Sequence, residues 1–231
     1  VTAGALFAIS DLHVGFAENR RFVEEELRPE SDSDWLLVAG DVAERVADVE
    51  WALRTLCDRF ETVGEGGPVT IAPLFLLYDY TFRPEGTATA EEALARAYEA
   101  EVVCTDEVLL HPDPYPGRAE WCRARLAATE RRLAGRDTGL PTVLVNHFPL
   151  VREPTRVLRH PEFALWCGTE HTARWHLAYD AAVVVYGHLH IPRTMWQDGV
   201  RFEEVSLGYP REWRPRGGPR GPRRVFPEES G

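Results

Sequence analysis

No stretch of this sequence stays apolar for the roughly 18 residues needed to cross a bilayer. The first ten residues, VTAGALFAIS, hold no basic segment leading into a long apolar one. Neither a membrane partner nor a secretory leader is expected. Basic side chains are in deficit, with 26 Lys and Arg against 37 Asp and Glu and a net charge of −11. General affinity for nucleic acid rests on excess cationic side chains, so no nucleic-acid partner is expected. Cysteine is sparse as well. Cys57, Cys104, Cys122 and Cys167 lie far apart with no C-x-x-C pair. That excludes a zinc knuckle or a disulfide frame and points to reduced, mostly buried thiols in a cytoplasmic protein. No internal repeat is present.

What is there is an ordinary globular composition, 44% apolar over 231 residues, enough for one large domain. That domain is expected over residues 1–213. Residues 214–231 form a C-terminal tail opening on RPRGGPRGPRR, expected to be poorly ordered unless docked. Five short apolar runs, residues 5–10, 35–39, 69–77, 142–146 and 181–186, read as buried strands. Several are near-continuous in apolar character, as in layered α/β proteins whose sheets are covered on both faces. Val49, Leu53, Leu56 and Phe60 recur at helical spacing, as do Cys122, Leu126, Thr129 and Leu133, with Gly135 as a stop. Residues 90–103 read as helix too. Asp198-Gly199 between residues 193–197 and 200–206 marks a β-hairpin.

The chemistry sits where the strands stop. The first is followed by Asp11-Leu12-His13, the second by Gly40-Asp41, the fourth by Asn146-His147 and the fifth by Gly187-His188-Leu189-His190. In open α/β sheets the carboxyl ends of the strands form the ligand-binding rim. Mixed carboxylates and imidazoles suit Mn, Fe, Zn or Co, whereas Ca and Mg prefer oxygen. On an extended backbone the motifs D-x-H and H-x-H each put both side chains on one face, so each pair is expected to grip one ion. Any one of these motifs alone is commonly a capped turn or a satisfied core histidine. The set together reads as a metal site.

The series D-x-H, G-D, H and G-H-x-H resembles the calcineurin-like metallophosphoesterase superfamily over roughly residues 5–210. The resemblance implies a four-layer α/β/β/α sandwich with two facing mixed sheets. It also implies two divalent metal ions, one on Asp11, His13, Asp41 and His190, the other on Asp41, His147 and His188, with Asp41 bridging. The superfamily's third motif, G-N-H-[D/E], is absent. Its Asn is a metal ligand and its His assists the leaving group. That His is expected to come from a loop between Val63 and Gly64 that the 231 residues do not contain. The expected reaction is phosphoester hydrolysis by a metal-bridging hydroxide.

Flanking segments VAGDVAE (38–44), FLLYDY (75–80), VNHFPL (145–150), LWCGT (165–169) and VSLGYPREW (205–213) are similar to the actinobacterial 4′-phosphopantetheinyl hydrolases. That narrower resemblance implies a diesterase acting on phosphopantetheinylated acyl carrier protein. The alternatives are a phosphomonoesterase, a cyclic-nucleotide phosphodiesterase, or a degenerate metal-binding scaffold. Arg193, Tyr78, Tyr80 and Arg211 are the candidate substrate contacts. Because the carrier protein and this protein are both acidic, a local basic patch is required. Arg152, Arg156, Arg159, Arg211, Arg214 and the tail arginines are its candidates.

Overall fold

Alternation along the strands builds two sheets that share one apolar seam. The computed structural model describes residues 4–61, 68–136 and 139–228. Strands β1 (Leu6–Ile9) and β2 (Trp35–Val38) pair in parallel, and β8 (Arg223–Phe226) pairs antiparallel on the other side of β1. The second sheet has the order β3-β4-β5-β7-β6, built from β3 (Thr70–Pro73), β4 (Thr142–Val145), β5 (Ala181–Tyr186), β6 (Arg193–Gln197) and β7 (Val200–Glu204). It is parallel except for the β6–β7 hairpin. Leu6, Ala8, Val143, Val145, Val183, Val185, Val205 and Val225 meet between the sheets. The neighbouring residues in the strands point outward. Ile9 packs with Ala52 and Leu56 of helix α2 (Val46–Cys57) and with Phe22, which follows α1 (Ala17–Arg21). Leu144, Val184 and Phe202 pack under α3 (Ala90–Glu99) and α5 (Arg118–Leu133), with the single turns α4 (Asp106–Leu109) between them and α6 (Trp175–Ala178) ahead of β5. The architecture is the expected α/β/β/α sandwich.

The hairpin turns at Asp198 and Gly199, both at positive φ (51° and 78°), the backbone of a type I′ turn. All four residues of the stripe foreseen on α5 are buried. On α2 the stripe is shifted. Ala52, Leu56 and Phe60 face the sheet, while Leu53 is 42% exposed, because the buried face follows an i, i+4, i+8 line one residue earlier. Strand β3 is shorter than foreseen. Pro73 sits on this edge strand with its nitrogen turned away from β4. The ladder ends one residue later with Leu74 N–H bonding Val145 O at 2.7 Å, and the backbone then leaves the sheet, with Leu76 N–H bonding Asn146 Oδ1 at 3.1 Å. The tail is docked in part, since Arg223–Phe226 completes the small sheet and buries Val225 fully. Arg223–Phe226 therefore belongs to the sandwich. The loop expected between Val63 and Gly64 falls outside the described residues. The cysteines are free, three buried and Cys57 exposed. Among the described residues no helix is long and apolar enough to cross a membrane.

One junction positions everything that follows. Just past β1 and β7, Ser10 and Ser206 form a parallel bridge: Ser10 N–H bonds Val205 O at 3.0 Å and Leu207 N–H bonds Ser10 O at 2.8 Å. The two sheets are stitched at their carboxyl rim, directly beneath Asp11.

Candidate metal centre

The six expected ligands come from four strand ends, and local backbone aims them. Asp11, His13, Asp41, His188 and His190 all have positive φ, between 41° and 70°. Non-glycine residues avoid this region, and its cost is tolerated where a site over-determines it. This corrects the sequence expectation. D-x-H and H-x-H do not run extended but coil through left-handed residues. The first loop lies on the second through Asp11 N–H to Gly40 O (3.1 Å) and His13 N–H to Asp41 O (3.2 Å). Two glycines are required by contact. A Cβ on Gly40, at φ 100°, would stand 2.7 Å from His147 Nδ1, and one on Gly187 would stand 2.2 Å from Ser10 Oγ.

Two sets of ligand atoms lie within 4.8 Å of one another: Asp11–His13–His190 and Asp11–Asp41–His147. The structure therefore brings five of the six into sets, and the carboxylate common to both is Asp11, where the resemblance implied Asp41. Asp41 lies beside His147, Oδ2 to Nε2 at 3.6 Å. Among the described residues no such set joins His188 with His190, where the same-face expectation put both on one ion. The His188 ring packs against His147, Phe148 and Phe163, and its backbone N–H bonds Asp11 Oδ2 at 3.0 Å. Its Nε2 is buried without a hydrogen-bond partner among the described residues.

Charge is concentrated on the buried Asp11. Oδ2 accepts from Ser206 Oγ at 2.8 Å, and Oδ1 lies 3.0 Å from His190 Nε2. Burial pushes this carboxyl up, but His147 and His190 outweigh it and hold Asp11 well below the usual range. For His190 burial works toward the neutral form, yet Asp11 and then Glu212 raise it to about 10. His188, buried and facing His147, is depressed. Glu204, buried near Asp11, is raised to about 7.

Several residues of the site escaped the sequence reading. Glu212 Oε2 accepts from His190 Nδ1 (2.8 Å) and from Tyr209 N–H (2.9 Å). Tyr209 lies flat on His13, with centroids 4.4 Å apart. The signal was a capping pattern, Pro at the first position of α7 (Pro210–Trp213) and Glu at its third. It was obscured because tyrosine is not a usual N-cap residue. Of the candidate substrate contacts, Arg211 holds its guanidinium 4.9 Å over the Tyr209 ring. It lines a groove of about 420 Å³ with Phe16, Glu44, Tyr209 and Arg214. Arg193 opens β6 opposite Glu204 in the hairpin. Tyr78 is 1% exposed and belongs to the core. Its hydroxyl and that of Tyr80 donate to Glu107 at 3.3 and 2.8 Å, so neither phenol points freely into the cleft.

The donor set fits the implied ions. His190 Nδ1 donates to Glu212 Oε2, so that once a cation displaces the Nε2 proton the lone pair there faces Asp11 Oδ1 and His13 Nε2, 3.0 and 3.4 Å away. Three acceptors facing one another, two imidazoles and a carboxylate, are what a divalent transition metal requires.

A four-layer sandwich with this cluster on its strand-end rim defines a metallophosphoesterase-type enzyme, a hydrolase of phosphoester bonds. No family model matches the chain. It is 49% identical over 266 aligned positions to the acyl-carrier-protein phosphodiesterase PptH of Mycobacterium tuberculosis (strain ATCC 25618 / H37Rv), covering 93% of this chain and 82% of the relative. The crystal structure of phosphopantetheinyl hydrolase (PptH) from Mycobacterium tuberculosis matches with a TM-score of 0.92 and 47% identity, over 99% of this chain and 98% of that one. The chain belongs to this acyl-carrier-protein phosphodiesterase family.

Proposed function

We propose that this protein hydrolyses the phosphodiester joining 4′-phosphopantetheine to a serine of an acyl carrier protein, using two divalent cations drawn from Mn, Fe, Zn or Co. The observation that carries the reading is the pair of ligand sets meeting at Asp11, in a chain 49% identical to an acyl-carrier-protein phosphodiesterase. Asp11, His13, Asp41, His147, His188 and His190 are the proposed ligands. Asp41, half exposed at the rim, would serve the ions together with Asp11, the carboxylate common to both sets. When bound, the cations supply a nucleophile from water at neutral pH and neutralise charge on the phosphoryl oxygens.

The protein's own residues prepare for that chemistry. Against the opposing effect of burial, the neighbouring imidazoles of His147 and His190 keep Asp11 ionised. Glu212 sets the His190 tautomer, and the Ala39 carbonyl, 3.1 Å from His147 Nδ1, does the same for His147. The groove beside Tyr209 and Arg211 is assigned to substrate. The resemblance assigns the proton for the departing oxygen to the His of the third motif, which the 231 residues do not contain. In support, the match to the relative runs over 266 positions, more than the 231 residues present here, so the relative has residues without a counterpart in this chain. The missing motif also favours the second reading, a metal-binding scaffold without catalysis.

Purified protein supplied with Mn should release phosphopantetheine from holo-carrier protein, and the Asp41→Asn variant should not. Turnover of cyclic nucleotides without release from the carrier would reassign the substrate. An encoding DNA with nothing between the codons for Val63 and Gly64, together with no turnover of any phosphoester, would leave the scaffold.

A further inference from the structure

We infer that the acidic carrier protein docks on an arginine ridge formed by residues 211–220, at the mouth of the groove beside Tyr209. The inference rests on the proposed activity, because it names the surface that would hold that substrate. Two proteins of like net charge repel at long range, and productive encounter needs a local patch of opposite sign near the site. The sequence offers two candidate clusters, and the structure separates them.

Around residues 152–159 two of the three arginines are engaged locally, and only Arg159 is without an ion pair among the described residues. Arg152 lies 3.8 Å from Glu170 and donates to the Arg83 carbonyl, and Arg156 Nε is 2.8 Å from Glu153. Arg152 and Glu153 line a groove with Trp196 and Gln197 that includes none of the proposed ligands.

The second cluster is carried to the site by topology. Gly208 N–H bonds Asp11 O at 3.1 Å, Tyr209 stacks on His13, and α7 and a 3₁₀ turn (Arg214–Arg216) follow at once. The backbone then re-enters the small sheet at Arg223, opposite Ala8, and runs back along β1. Residues 214–222 therefore cross the same end of β1 from which Asp11 projects. Arg211, Arg214, Arg216 and Arg220 are all exposed.

The acidic side chains nearby are already engaged. Glu212 turns inward to His190, Glu18 pairs with Arg214, and Glu44 sits 3.4 Å from His13 Nδ1. Among the described residues Arg211, Arg216 and Arg220 take part in no ion pair. In a protein of net charge −11, Arg211 and Arg214 line the groove beside the proposed reaction centre, and Arg216 and Arg220 follow on the exposed segment that leads to β8.

The test compares two substrates of the Mn-loaded protein: holo-carrier protein and a small chromogenic phosphodiester that has no protein surface to dock. The double variant Arg216→Glu/Arg220→Glu should lose about tenfold or more in kcat/KM on the carrier at low salt. The loss should sit in KM, shrink as salt is raised, and leave the small diester unaffected. The control Arg156→Glu/Arg159→Glu should turn over carrier at the wild-type rate. Carrier turnover unchanged in the ridge variant, or reduced equally on both substrates, overturns the ridge while leaving the proposed activity standing. A wild-type protein that cleaves the small diester but never the carrier overturns the substrate reading, and the docking surface with it.

Discussion

Glu212→Gln is the sharpest perturbation of this site that should leave the fold alone. The amide keeps an oxygen for the Tyr209 N–H, 2.9 Å away, so the start of α7 remains capped. What disappears is the negative charge that accepts the His190 Nδ1 proton at 2.8 Å. An outer carboxylate of this kind raises the basicity of a ligating imidazole, and its loss costs about 10–100-fold in metal affinity, or about 1.4–2.7 kcal/mol. The pH dependence adds a second constraint. In the metal-free protein His190 titrates near 10, so ligation at neutral pH must displace its proton. Affinity should then rise about tenfold per pH unit below that value. Glu212 stabilises the proton as well as the metal, so at neutral pH the two losses partly cancel. The deficit of the variant should therefore widen as pH rises, and its own climb should level off sooner. Competition between the metal-free protein and a chelating dye for Mn or Zn, from about pH 6.5 to 9.5, reads both effects. Equal affinity of variant and wild type at the alkaline end would refute the reasoning.

Three further outcomes follow from the geometry. Gly187→Ala forces a methyl to within 2.3 Å of Asp11 Oδ2. It should lower stability by about 1–3 kcal/mol and abolish turnover, and a melting temperature and specific activity equal to wild type would contradict the close approach. Glu204 is raised from 4.5 to about 7 by burial and by Asp11. Its protonated form supports the metal-free fold fully below pH 4.5, and that support, about 3 kcal/mol in all, is lost as pH rises toward 7. Glu204→Gln should therefore flatten the fall in urea midpoint across that window, and an unchanged slope would rule the residue out. Val225→Ala, in the strand that closes the small sheet, should cost roughly 2 kcal/mol. A loss no larger than that of exposed Val46→Ala would mean that β8 is not part of the folded core.

Much of the site was legible because chemistry and strand ends coincide in the sequence. Asp11, His13, Asp41, His147, His188 and His190 each stand just past an apolar run, and an apolar run of that length announces its own end. The hairpin at Asp198-Gly199 and the buried face of α5 were equally local, the first a matter of turn backbone and the second of helical period. The illegible part depends on remote segments. Glu212 reaches His190 across 22 residues, and Ser206 reaches Asp11 across 195. Nothing near Arg223–Phe226 signals a strand beyond two apolar residues after two arginines. It forms one because β1 has an open edge beside it.

The amino-acid sequence by itself determined which side chains could hold a cation, the layered α/β class and the acidic surface, since composition and short-range periodicity encode these directly. The tertiary structure decided how those side chains are divided, with Asp11 shared between the two sets and His188 set apart against Phe148 and Phe163. It also decided that Arg211 and Arg214 line a groove beside Tyr209. The division depends on left-handed backbone at the strand ends and on the seam at Ser10 and Ser206. Both arise only when the two sheets close on each other, because a contact between remote segments has no local signature.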